Sequence, residues 1–413
     1  MSNMSKTPEP PVRLGPRPLA LHLGLATTTV AGSLAGLPLP HHEPLPWSDD
    51  VTEQAREMAT KLKKYGSTEL IRALAAQGSG MMQEMIEGIQ KYHQHPYRRK
   101  PPLRPVIWQR GSSSLVNCGP DLPGHSPVLF IVPSLVNRAY ILDLMPGRSL
   151  VDYLAEKGIR PLLLDWGAPG AEEKDFFLSD YIRDRILPAL DFTSQAYPET
   201  PLHLAGYCMG GTLAVAAAER RQAVLTSFIA LAAPWDFHAE LADQTRLLLG
   251  QREMWSNVLT GFGELPVDLL QALFTSLDPN LGLRKFRMFS KMEGESERAT
   301  EFVALEDWLN DGFPLVKGVT EDCFDKWYGR NETGRNCWEV AGEPVCPANV
   351  NIPSLVAVPK TDKIVPRPSA LALASSLPNA KVITPPSGHI GMVTSRHAKE
   401  GLWRELADWI IAS

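Results

Sequence analysis

Residues 202–221 read LHLAGYCMGGTLAVAAAERR. An apolar run leads into small residues crowded around one cysteine, and an alanine-rich stretch follows. That order spells a strand, a sharp turn and a helix, with Cys208 at the tip of the turn. Gly206, Gly210 and Gly211 take side chains away where the two backbones must approach closely. Such an elbow usually carries serine. Two electrostatic consequences follow for the sulfur. The helix N-terminus directs its partial positive charge at it and favours thiolate. The backbone N–H of Met209 becomes a donor for an oxyanion.

Working outward, short apolar runs repeat as buried parallel strands should: VLFIV at 128–132, RPLLLDW at 160–166, SFIALAA at 227–233, SLVAVP at 354–359 and KVITPP at 381–386. Helical stretches lie between them, including RSLVDYLAEKG with Gly158 past its end. PVIWQRGSSSLVNCG, before the first of these strands, reads as a hairpin about Gly111. The alternation predicts an α/β fold: a mostly parallel, doubly wound sheet with an antiparallel start. Regularity breaks over 235–349, which reads as a mostly helical cap inserted above the strand C-terminal ends, where open α/β sheets bind ligands. The expected organisation is an extension over 1–104, a core formed by 105–234 with 350–413, and the cap.

The extension has its own signals. Residues 1–18 and 38–48 are proline-rich and read as irregular. SDDVTEQAREMATKLKKYG starts at a potential N-cap, Ser48, and ends at Gly66. TELIRALAAQGSGMMQEMIEGIQKY carries the stripe Met81, Met82, Met85, Ile86, Ile89, which should be buried against the main domain. Residues 19–40 are charge-free and follow Arg13 and Arg17. They read as a docking or surface-associating helix, with a disordered lead or an export signal as alternatives.

Composition narrows the function classes. A formal net charge of −5 with 21% charged residues gives no basic field for nucleic acid. The run Arg98-Arg99-Lys100 with Arg104 reads as a solvated linker face. Cys118, Cys208, Cys323, Cys337 and Cys346 lack paired CxxC spacing, which points to a reducing, cytoplasmic setting and away from structural zinc.

A nucleophile needs a base, and the base an orienting acid. AVPKTDKIVP places Asp362 just past one strand and TPPSGHIGMV places His389 just past the next. The chain order is then nucleophile, acid, histidine, each at a strand C-terminal end. A second oxyanion donor belongs in the loop VPSLVN, at the amide of Leu135 or Val136, with Leu135 preferred. His203, His238 and His397 read as structural.

These stretches carry a family resemblance. VPSLVNRAYILDLMPGRSLVDYLAEKGIRPLLLDWGAPG, LAGYCMGGTLAVAAA, PKTDKIVP and SGHIGMV together resemble polyhydroxyalkanoate synthases, especially the short catalytic subunits that work with a second subunit. The resemblance runs over about Pro127 to Trp409. It implies an α/β-hydrolase fold, with Cys208 acylated, His389 as base and Asp362 as its partner. (R)-3-hydroxyacyl-CoA would be the donor, a growing polyester the acceptor, and CoA a released product with no bound cofactor or metal. A homodimer or a second synthase subunit, and a polyester granule surface, are the partners such an enzyme would meet. One departure is Lys363, where such synthases often have histidine. An α/β-fold esterase or thioesterase with a cysteine nucleophile is the alternative activity.

Overall fold

The structure is a computed structural model, and it describes residues 12–35, 49–62, 65, 67–240 and 249–413. The expected helix ends at Ser48 and Gly66, and the proline-rich stretches 1–11 and 38–48, lie outside the described residues. The chain forms two compact units. One comprises Met1–Arg98 with Gln271–Asn310, the other Arg99–Leu270 with Asp311–Ser413.

The larger unit holds an eight-stranded sheet. Its strands are β1 (Val106–Arg110), β2 (Ser113–Asn117), β3 (Val128–Val132), β4 (Arg160–Asp165), β5 (Leu202–Tyr207), β6 (Ser227–Leu231), β7 (Ser354–Ala357) and β8 (Ala380–Ile383). They lie in the order β1-β2-β4-β3-β5-β6-β7-β8. The β1–β2 hairpin is antiparallel and joins β4 antiparallel, while the remaining pairs are parallel. This is the doubly wound sheet with an antiparallel start that the strand pattern implies. β3, β5 and β6 are buried at every position, so they show no alternation and read as plain apolar runs. The next strand to β3 in the chain lies on one side of it and β5 lies on the other. The crevice where winding reverses therefore opens at the C-terminal ends of β3 and β5.

The helix Met209–Arg221 follows β5 directly, and every residue from Met209 to Ala218 is buried. Its run of alanines is explained by that enclosure, since a helix packed on all sides has room for few large side chains.

The partition differs from the expected one in two ways. The inserted region is helical, but it is not one cap. Residues 271–310 belong with the N-terminal helices, whereas 235–270 and 311–349 belong with the sheet. The extension also ends at Arg98 rather than 104. The cause is side-chain coverage. In the smaller unit, Met85, Ile89 and Tyr92 of the helix Ser67–Gln94 are buried against Leu283, Phe286 and Phe289 of the helix Leu281–Ser290, together with Ala26, Ala299 and Val303. Of the methionine stripe, Met85 and Ile89 are therefore buried within their own unit, Met81 and Met82 pack half-buried against the same core, and Ile86 stays exposed. The apolar stretch after Arg17 forms the helix Leu19–Ala35, which puts Ala26 into this core. No helix among the described residues is long and apolar enough to cross a membrane.

The basic run is also not a solvated face. Arg104 donates to both oxygens of Asp143 and to Asp152, and Arg99 lies over the Tyr140 ring at 4.3 Å. These side chains tie the segment before β1 to the sheet unit, which the charge pattern alone did not reveal.

In the smaller unit, helix packing depends on Gly88, where a Cβ would stand 2.0 Å from the Phe286 carbonyl oxygen. Gly88→Ala therefore opposes two effects. Helix propensity gains about 1 kcal/mol, while forcing a methyl against backbone costs up to about 3 kcal/mol. The expected result is a net loss of about 2 kcal/mol, read as faster amide hydrogen exchange across residues 85–92 and 283–289. Unchanged or slower exchange would contradict this packing.

Candidate active site

Cys208 sits between β5 and its helix with φ 56° and ψ −129°. Positive φ is strained for a residue with a Cβ and costs on the order of 1–3 kcal/mol. The surrounding bonds hold it there. The Cys208 N–H donates to the Leu231 carbonyl at 2.8 Å, and the Gly211 N–H donates to the Cys208 carbonyl at 2.8 Å. Gly210 is needed for the turn to close, because a Cβ there would lie 2.2 Å from the Val132 carbonyl oxygen and 2.4 Å from that of Pro133. The elbow is thus clamped on one side by the end of β3 and on the other by the end of β6.

Asp362 follows β7 and His389 follows β8. The Asp362 Oδ1 accepts from the N–H groups of Ile364 and Val365 at 2.8 and 2.9 Å, so the turn itself orients the carboxylate. Its Oδ2 lies 2.7 Å from His389 Nδ1. With Nδ1 engaged, Nε2 is the nitrogen left for the Cys208 sulfur, which interacts electrostatically with the imidazole. The side chains of Asp362 and His389 are nearly sealed from solvent, at 1% and 6% exposed. The structure brings together the three residues that the chain order singled out.

Electrostatics set the protonation. Burial pulls the His389 imidazole down, but the Cys208 charge and the hydrogen bonds to Asp362 and Cys208 outweigh it and raise the pKa to about 10. At neutral pH the imidazole therefore carries its second proton. The proton on His389 stabilises the folded chain fully below about 6.5, and that contribution fades as pH rises through about 10.

The expected oxyanion donors fall as follows. Met209 is the first residue of its helix, and N–H groups of a first helical turn have no intrahelical acceptor. Of the two amides considered in the loop after β3, that of Val136 donates to Ser134 Oγ at 3.2 Å. Leu135 is left as the candidate. His203 is fully buried against Ser227, His238 meets the Tyr328 carbonyl and His397 contacts Arg396, so none of the three joins the site. All five cysteines are free. Among the described residues no group of three or more His, Cys, Asp or Glu side chains is placed to hold a metal ion.

A family model described as alpha/beta hydrolase fold matches residues 127–395. The chain belongs to that family. Among curated proteins, the poly(3-hydroxyalkanoate) polymerase subunit PhaC of Haloferax mediterranei is 30% identical over 292 residues, covering 68% of this chain and 58% of its own length. The protein of the same name from Synechocystis is 28% identical over 315 residues, covering 74% of this chain and 83% of its own. The chain thus spans less than two thirds of the haloarchaeal protein. Among solved structures, a carboxyl esterase from Bacillus coagulans superposes with a TM-score of 0.51 at 12% identity, over 75% of this chain and 98% of that one. This last likeness shows the fold.

Two aromatic neighbours escaped the sequence reading. The Tyr207 ring lies 5.3 Å from the His389 ring, tilted by 33°, and its hydroxyl donates to the His389 carbonyl at 3.3 Å. Burial and then the Cys208 charge push its phenol well above the ordinary range. Tyr328 is raised by burial, by Cys323 and by Cys208. Tyr207 could have been suspected from its place beside the nucleophile. Tyr328 lies 120 residues downstream in the irregular insertion, with no pattern to announce it.

If the Cys208 charge holds the His389 proton, Cys208→Ala should lower the His389 pKa. In a pH titration followed by imidazole NMR, the wild type should stay protonated through neutrality and titrate near 10, and the variant should titrate at lower pH. Equal titration points would show that the sulfur carries no charge there.

Proposed function

We propose that this chain is an acyltransferase that polymerises (R)-3-hydroxyacyl-CoA into a polyester through a Cys208 thioester. The observation that carries the reading is the buried Asp362–His389 pair facing a cysteine, in place of serine, on the strained elbow. The named polymerases among its relatives support the substrate class.

The steps follow from the arrangement of Cys208, His389 and Asp362. The Cys208 thiolate attacks the carbonyl carbon of the donor thioester, and the oxyanion rests on the backbone N–H groups of Met209 and Leu135. Collapse breaks the bond to the CoA sulfur, and the His389 imidazolium protonates that leaving thiolate. Neutral His389 then takes the proton of a 3-hydroxyl group on the chain end. The resulting alkoxide attacks the Cys208 thioester, an ester bond forms, and thiolate and imidazolium are restored. Asp362 fixes the tautomer and stabilises the imidazolium at both stages. CoA is product only, and neither a resident cofactor nor a metal enters this scheme.

Association with a polyester granule, a cytoplasmic setting, and a homodimer or second subunit belong to the same proposal. They follow from the insoluble product and from the subunit naming of the relatives.

The deciding experiment is incubation with (R)-3-hydroxybutyryl-CoA, following CoA release and polymer together, beside Cys208→Ala. Both products from the wild type, and loss of at least ~10³-fold in the variant, are expected. CoA release with only free hydroxy acid would mean a hydrolase instead. Asp362→Asn places an amide NH₂ against Nδ1 and favours the tautomer with a proton already on Nε2. CoA release should then fall by roughly 10²–10⁴-fold while the protein stays folded. Activity within a few-fold of wild type would remove Asp362 from the mechanism.

A further inference from the structure

One motif is left unused by the mechanism: Asn137, Arg138 and Tyr140, in the loop that carries Leu135. In the structure it grips the segment Asp311-Gly312-Phe313. Asn137 forms an antiparallel bridge to Gly312. The Arg138 Nε lies 2.9 Å from Asp311 Oδ1 and donates to the Asp311 carbonyl at 3.2 Å. The Tyr140 hydroxyl donates to Asp311 Oδ2 at 3.2 Å. The Arg138 guanidinium also stacks over the Phe313 ring, 4.0 Å from its centroid, so the ring is fixed as well as the backbone.

What this grip encloses is a small apolar cleft. Leu135 and Phe313 form two walls, Trp166, Tyr181, Val316 and Val319 help to close it, and the free space left between them admits about one water-sized or methyl-sized group. Its floor is rigid. The Trp166 indole donates to the Pro133 carbonyl at 3.1 Å and meets Tyr181 edge-on, with ring centroids 5.5 Å apart at 88°. The Pro133 carbonyl is also one of the two against which Gly210 packs. The cleft therefore begins at the loop that supplies the Leu135 amide and shares a backbone carbonyl with the nucleophile elbow. In the proposed reaction, an acyl group on Cys208 with its carbonyl oxygen at the Leu135 amide would be brought to the Leu135 wall of this cleft.

We propose that the cleft receives the alkyl substituent at C3 of the acyl group, and that Phe313, held by Arg138, limits its length to a short chain. The inference rests on the acyl-donor reading above. A hydrophobic wall of this kind discriminates by roughly 10–200-fold per methylene, so the aromatic ring is sufficient to set the preference. Widening it should relax the limit without touching the Cys208, His389 and Asp362 side chains.

The test compares (R)-3-hydroxybutyryl-CoA with (R)-3-hydroxyoctanoyl-CoA, taking the ratio of kcat/KM from CoA release, in wild type, Phe313→Ala and Phe313→Leu. Wild type should favour the four-carbon donor, and Phe313→Ala should shift the ratio toward the eight-carbon donor by about 10-fold or more. Phe313→Leu keeps an apolar side chain in the wall and should shift it less, and it decides the matter if the alanine variant fails to fold. A ratio unchanged in the folded variants would overturn the assignment. Because CoA release precedes the choice of acceptor, a protein that yields only free acid would lose the polymerase reading and still report on the cleft. Should neither donor release CoA, the donor reading fails. The cleft is then judged by Cys208 labelling with N-ethyl against N-hexyl iodoacetamide, where equal ratios in wild type and Phe313→Ala would sink it.

Discussion

The approach of Gly210 to the carbonyl oxygens of Val132 and Pro133 is the constraint on which the site depends. It fixes the helix Met209–Arg221 against the end of β3, and with it the strained Cys208 backbone and the Met209 amide. The same Pro133 carbonyl accepts from Trp166, so the elbow, the loop after β3 and the loop after β4 meet at one peptide group. A displacement there would move the nucleophile and the Leu135 amide together. For a reaction whose oxyanion must form between two backbone donors, such shared anchoring keeps the donors in register with the sulfur. The strain stored at Cys208 is tolerated because its N–H and carbonyl are both bonded and its neighbours leave no room to relax.

Much of this was legible in the sequence. Each central strand is buried on both faces and so is written as an unbroken apolar run. Asp362 stands a few residues beyond such a run, and His389 beyond the β-rich run of the edge strand β8, whose positions are only half-buried or exposed, which places both at strand C-terminal ends. Cys208 lay between an apolar strand and a buried helix rich in glycine and alanine. What was not legible is tertiary pairing over long separations. Nothing in the helix Leu281–Ser290 says that Phe286 and Phe289 will be covered by Met85, Ile89 and Tyr92, so the inserted region read as one cap. Arg104 looked like a linker charge because its partners, Asp143 and Asp152, come from another part of the chain. The motif around Arg138 was conspicuous as a resemblance, but its target at Asp311 lies 173 residues away.

The protonation state of the site ties its geometry to its chemistry. His389 is buried, and burial alone would make it neutral. Its pKa is nonetheless raised to about 10, because the Cys208 charge and the hydrogen bond to Asp362 favour a proton on the ring. In the proposed reaction, that arrangement suits a leaving thiolate that must be protonated as it departs. Asp362 anchors Nδ1 through one oxygen while its other oxygen is held by two backbone amides, which is the role the proposed reaction asks of it.

The choice of sulfur then has a thermodynamic reason. In the proposed reaction, moving an acyl group from CoA to Cys208 exchanges one thioester for another and is close to isoenergetic. The acyl group remains activated, and its later passage to a hydroxyl is downhill. A serine at the same elbow would form an oxoester and discard that driving force in the first step. The thioester must outlive encounters with water until a hydroxyl reaches it, which places a premium on apolar surroundings. Tyr207 supplies an apolar ring face at the imidazole, and Trp166, Tyr181 and Phe313 line the cleft at Leu135 that the proposal assigns to the acyl substituent. If the substituent on the acyl group fills that cleft, the substrate itself completes the dry enclosure. Substrate fit and protection of the intermediate then become one property, because a chain too short to reach Phe313 leaves the thioester open to water and one too long prevents the carbonyl from reaching the amides.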